Sequence, residues 1–159
     1  METQRIIEQM RRAHNGEPWV GVSLADLLDD LTWVEAEARP IPSAHSIWEI
    51  VLHLITTQQL IVDLVGGVSR AFHPGDDWPA VERPSESSWA DVMRQFREGE
   101  AAVRQAASTI DGDRLDRPLR EGGSSAYNNL HGYVQHALYH AGQISLLKKL
   151  ARNERKEAT

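Results

Sequence analysis

Along four long stretches of the chain, apolar residues recur every three or four positions. No stretch alternates with the two-residue period of a half-buried strand. The first stretch predicts a helix from roughly Thr3 to His14, stopped by Asn15-Gly16. A loop, GEPWVGVS, follows. Ser23 is placed to cap a short helix through Leu31, with Asp26 at the capping-box position, and Thr32 to cap a turn, WVEAEA, that ends before Pro40. The second long helix is expected from near Ser46 through IWEIVLHLITTQQLIVDLV, ended by Gly66 and Gly67. The Pro-, Gly- and Asp-rich run SRAFHPGDDWPAVERPSE reads as an irregular loop. A third helix runs from Ser87 or Ser88 to Ile110, ended by Asp111-Gly112. A polar loop then leads to a fourth from about Ala126 to Ala151, with Ser125 as its cap. Four long helices with short extra helices after the first predict an all-α four-helix bundle.

The length of 159 residues suits one domain spanning 1–159, and 41% hydrophobic with 25% charged residues is a globular composition. A chain without Cys has no disulfide, thiolate ligand or Cys nucleophile, which fits a reducing compartment. A net charge of −6 argues against a nucleic-acid partner; the basic run KKLARNERK reads as the cation-rich end of a helix. No apolar run approaches the roughly 20 residues of a membrane span, and METQRIIEQMRRAH lacks a signal-peptide core. The expectation is a cytoplasmic protein without a membrane partner.

The chemistry concentrates in HALYHAGQI on the last helix, where His136 and His140 are four apart. One turn takes about 3.6 residues, so both imidazoles leave the same face from adjacent turns, the spacing with which a helix offers two nitrogens to one metal ion. A zincin would carry Glu after the first His; Ala137 stands there, which argues against that protease class. The alternative is two ordinary polar residues on a helix surface. Asn129, Gly132, Tyr133, Gln143 and Leu147 fall on the same stripe. Gly132 costs stability in mid-helix; its missing side chain either leaves room for a ligand beside His136 or allows close helix packing.

A third imidazole, His53, lies on the second long helix between Leu52 and Leu54. By itself it reads as a core or boundary histidine. With the pair on the last helix it completes a three-His set suited to a divalent metal with an open position for water or substrate. Glu49, one turn before His53, is a candidate to orient its ring or move protons, against a solvated carboxylate as the alternative. Gln143 is a candidate to contact a ligand or the His140 ring, against a helix–helix hydrogen bond. Tyr139 lies about 100° from His140 and reads as packing. His45 reads as a cap-region residue, His131 as lying on another face, and His14 and His73 as helix-end and loop residues. Of five Trp, Trp19 and Trp78 are the loop residues suited to a pocket mouth; loop anchoring is the plainer reading.

The blocks IPSAHSIWEIVLHL and NNLHGYVQHALYHAGQISLL, with GEPWVGVSL near the start, resemble the signature blocks of the DinB/YfiT-like superfamily. The resemblance implies an up-down-down-up four-helix bundle, commonly a homodimer. Its metal triad of one His from the second helix and two from the last carries over to His53, His136 and His140. Many relatives have His after the Trp of the first block, where this chain has Val20, and Pro where it has Val22. Relatives are labelled metal-dependent hydrolases or are similar to thiol-dependent transferases. The resemblance therefore implies a divalent ion, zinc or nickel first and iron or manganese next, that activates water or a low-molecular-weight thiol of a small-molecule substrate. A non-catalytic metal- or small-molecule-binding bundle and a scaffold with an empty pocket stay open beside it.

Overall fold

A computed structural model describes residues 1–68, 73 and 75–157, with the last three as backbone only. Residues 69–72 and 74 of the expected irregular loop lie outside the described residues. The described chain is helical: α1 (Glu2–Asn15), α2 (Leu24–Leu28), α3 (Trp33–Glu37), α4 (Ile47–Val65), α5 (Glu86–Ser108) and α6 (Ala126–Glu157), with a 3₁₀ turn at Gly112–Arg114. The four long helices pack in a ring. α1 and α4 each lie against both α5 and α6.

Local capping sets the starts. Ser46 accepts from the Glu49 backbone N–H (3.2 Å) while the Glu49 carboxylate accepts from the Ser46 N–H (2.8 Å), a reciprocal box that starts α4. Thr32 and Glu35 do the same for α3. α2 departs from expectation: it ends at Leu28, and the short Asp26 side chain takes the Ser23 hydroxyl (2.7 Å) in place of the backbone N–H that a Glu would reach. α5 is capped by Ser85, so it starts earlier than expected and stops at Ser108, where Thr109 caps it. α6 runs six residues further than the predicted Ala151. Its basic end is tied down: Lys148 donates to the Leu27 carbonyl (2.6 Å), and Arg152 pairs with Glu35 and Asp30 (both 3.0 Å), holding α2 and α3 to the bundle.

Ile47, Ile50, Val51, Leu54, Ile61 and Val65 of α4 are buried, so this face is core, while Leu60 on the same helix is exposed. α4 is the one described helix long and apolar enough by composition to cross a membrane, and half of that window is buried within the protein. Trp48 and Trp89 tilt against each other in the core (5.1 Å). Where α5 crosses α4 it carries Gly99, because a Cβ there would collide with the buried Gln58 amide.

His14 is not the simple helix-end residue expected. It is 2% exposed, stacked on Tyr133 (5.3 Å, 12°) and tilted on Phe96, and neither ring nitrogen has a protein partner. Burial first, then the nearby Arg104 charge, lowers its pKa to about 3. The folded state therefore holds a neutral ring where the unfolded chain would titrate near 6.5. The stability this contributes is complete above about pH 6.5 and is lost as pH falls toward 3. Thermal melts at pH 7.5 and 4.5 should show a smaller acid-induced drop in Tm for His14→Phe than for the native chain; an equal drop would show that His14 does not carry this dependence.

Candidate metal centre

Three imidazoles meet where α4 lies against α6. His53 comes from the middle of α4; His136 and His140 come from successive turns of α6. His53 and His140 are buried and His136 is half-buried. The Nε2 atoms of His53 and His136 are 2.8 Å apart, and those of His136 and His140 3.1 Å. Three nitrogens on one divalent ion, each about 2.0–2.2 Å from it, stand about 2.8–3.6 Å apart across octahedral and tetrahedral geometries. Two of the three edges thus match a ligand face to within a few tenths of an ångström, and all three ligand atoms lie within 4.8 Å of one another.

The outer nitrogens decide which atoms face inward. His53 Nδ1–H donates to the Asp77 backbone carbonyl (2.7 Å), with the Asp77 carboxylate 3.2 Å away. His140 Nδ1–H donates to Gln143 Oε1 (2.6 Å). A carbonyl oxygen only accepts, so both rings carry their proton on Nδ1 and turn an Nε2 lone pair inward. These two lone pairs aim at His136 Nε2, while buried His136 Nδ1 has no protein partner. In the protein alone, only a proton on His136 Nε2 can serve both neighbours. A cation satisfies all three lone pairs at once, so the donor set fits a divalent metal ion.

Electrostatics point the same way. Burial, then proximity to His140 and His53, lowers the His136 pKa to about 4; burial likewise lowers His140. Both rings are therefore neutral ligands rather than cations at neutral pH. Trp78 packs face to face on His53 (4.1 Å, 8°) and on its other side on His45 (3.6 Å, 3°). A pocket of about 330 Å³ opens beside His53 and His136, with Thr57, Asp77, Asn129, Gly132 and Tyr133 in its wall.

The other expected residues divide. Gln143 holds the His140 ring. Glu49 does not orient His53; its oxygens are taken by the Ser46 N–H, by Arg39 (2.5 Å) and by His45 (3.5 Å), all parts of the α4 cap. His53 is oriented instead by Asp77, which sequence reasoning missed. Its only signal was an acidic pair before a Trp in the loop after α4, and nothing in spacing tied it to a histidine 24 positions earlier. Trp78 is a wall against His53 rather than a pocket lip, and Trp19 is 97% exposed. Tyr139 is exposed, with its ring edge on His140. His131 lies against Tyr127, and His73 is exposed. Val20 is half exposed and outside the pocket wall. A larger cavity of about 610 Å³ lies elsewhere, between α4 residues such as Ile55 and Leu60 and the loop residues Pro79 and Leu119, and includes none of the three histidines.

Partners of metal-binding imidazoles are commonly worth 10–100-fold in affinity. Gln143→Leu should therefore weaken zinc binding by about tenfold or more in competition with a chromophoric chelator, with helicity unchanged. Unaltered affinity would show that the Gln143 contact is incidental.

Compared with known proteins, residues 21–144 match the family described as the DinB superfamily. This span contains α4, α5 and all three histidines. Neither a curated protein nor a solved structure matches the chain.

Proposed function

The chain belongs to the DinB superfamily, and from its three-histidine cluster we propose that it is a metal-dependent enzyme, a hydrolase or a thiol-dependent transferase. The observation that carries the reading is the convergence of three imidazoles beside an open pocket. His53, His136 and His140 would hold a divalent ion; zinc and nickel suit three imidazoles, as do iron and manganese more weakly. Once bound, such an ion supplies Lewis acidity that brings the pKa of a water or thiol toward neutrality.

The chain's own groups do the rest. Asp77 and Gln143 hold two rings in the ligating tautomer. Burial keeps His136 unprotonated, and Trp78 covers one face of His53. The Asp77 carboxylate, half exposed at the pocket wall, is placed to take or hold a proton from a bound molecule.

Finer features follow family membership and stand as part of this proposal. They are an up-down-down-up helix order, a homodimer, and action on a small molecule in the cytoplasm. α4 is about 28 Å long at 1.5 Å per residue, and the long connection 66–85 is able to return along it, as two successive parallel helices require. Because the apolar face of α4 is core, a dimer would have to use other surfaces.

A non-catalytic binding protein on the same bundle is the second reading. It is favoured by Val20, standing where relatives carry His, and by a pocket wall with one carboxylate.

Mass-spectrometric metal analysis of untagged protein beside His53→Ala and His136→Ala tests the site. Near-stoichiometric divalent metal in the native chain, lost in both variants, is the expected result. A native chain that binds none even after reconstitution overturns the proposal. A loaded protein that turns over neither a thiol adduct nor a small ester would move the assignment to the binding reading.

A further inference from the structure

Gly132 sits mid-helix in α6, one turn before His136. Glycine there costs helix stability relative to alanine, so its presence has a reason. Close packing is not that reason: a Cβ built on Gly132 meets no atom within 4 Å. The space it would enter belongs to the pocket beside His53 and His136.

Among the described residues the pocket wall carries one charged group, the Asp77 carboxylate, beside neutral polar groups. Asn129 spends its amide N–H groups on the Ser124 and Ser125 carbonyls (3.0 and 2.8 Å), which leaves its carbonyl oxygen to accept. The Thr57 hydroxyl donates to the His53 carbonyl (3.1 Å) and likewise retains only acceptor capacity. Ser124 and Asn128 add neutral donors, Asp77 adds a carboxylate, and no Lys or Arg lines the pocket among the described residues.

Resting on the metal-site reading above, we propose that this pocket receives the tail of the substrate. The structure assigns that tail as a hydroxyl- or amine-bearing, non-anionic group, with Gly132 as the position that sets its size. An ion held by the three histidines would draw a lone-pair donor of the substrate to itself. The remainder then lies beside the Asp77 carboxylate, which stabilises N–H and O–H groups and repels a carboxylate or phosphate.

The test uses cobalt-loaded protein under anaerobic conditions, with three thiols of similar size as probes: 2-mercaptoethanol, cysteamine and mercaptoacetate. Binding is read from the visible absorption of the cobalt centre in the native chain, Asp77→Asn and Gly132→Leu, with circular dichroism and cobalt content as controls. Part of any preference among the thiols is intrinsic to their sulfur, so the change on Asp77→Asn is the informative quantity. The neutral and cationic thiols should be favoured over mercaptoacetate by about tenfold more in the native chain than in Asp77→Asn. Gly132→Leu should weaken all three by tenfold or more with cobalt still bound, while Gly132→Ala leaves binding within twofold. Equal discrimination in native and Asp77→Asn protein overturns the tail assignment, and native-like binding by Gly132→Leu overturns the size role. Failure of the native chain to take up cobalt overturns the metal reading, and this inference with it.

Discussion

The proposed chemistry of this molecule depends on three imidazole nitrogens being brought together between α4 and α6. Neutral imidazoles do not attract one another strongly, and crowding three of them together with their acceptor nitrogens inward is unfavourable without a cation or a shared proton. The chain supports the arrangement from outside. Asp77 and Gln143 take the outer N–H of His53 and His140, and Trp78 lies flat on His53. Each device removes a freedom that would let a ring turn away, and the burial that lowers the pKa values also prevents the charged forms from forming there.

The bundle's remaining polar interior is arranged differently. His14, stacked on Tyr133, is held neutral by burial rather than by a partner, and it comes from a helix that contributes nothing to the metal centre. Tyr133 joins the two regions, with its ring against His14 and one edge of the residue in the wall beside His136. The phenol is pushed far above its ordinary range by the same burial. His14 and Tyr133 are therefore neutral in this core, while the buried Glu100 pairs with Arg104 (2.6 Å) and Glu49, Glu35 and Arg152 cap and tie the helices.

How far this could be read in advance depended on the range of the interaction. Helix existence, the Ser46/Glu49 and Thr32/Glu35 boxes, and the shared face of His136 and His140 all follow from spacings of three and four residues, which the helix repeat converts directly into neighbours. Gln143, three residues from His140, was legible for the same reason. Glu49 was misplaced as a ring-orienting group because one spacing serves two purposes. The residue one turn before His53 is also the third residue of α4, and the cap had first claim on its carboxylate. His14 was misread because a helix end is exposed in an isolated helix, whereas here the end of α1 is covered by Tyr133 and Phe96.

The sequence alone determined the helical class, the pairing of the two histidines on the last helix and their match in type to His53, because periodicity and side-chain chemistry are local properties. Only the tertiary structure decided that Asp77 and Trp78 close on His53 across a loop, that Gly132 faces open space rather than a packed neighbour, and that the Asp77 carboxylate stands in the pocket wall. Those facts concern which surfaces of distant segments meet and which hydrogen-bonding groups are already spent. Both are set by packing of the whole bundle, which no single stretch of residues encodes.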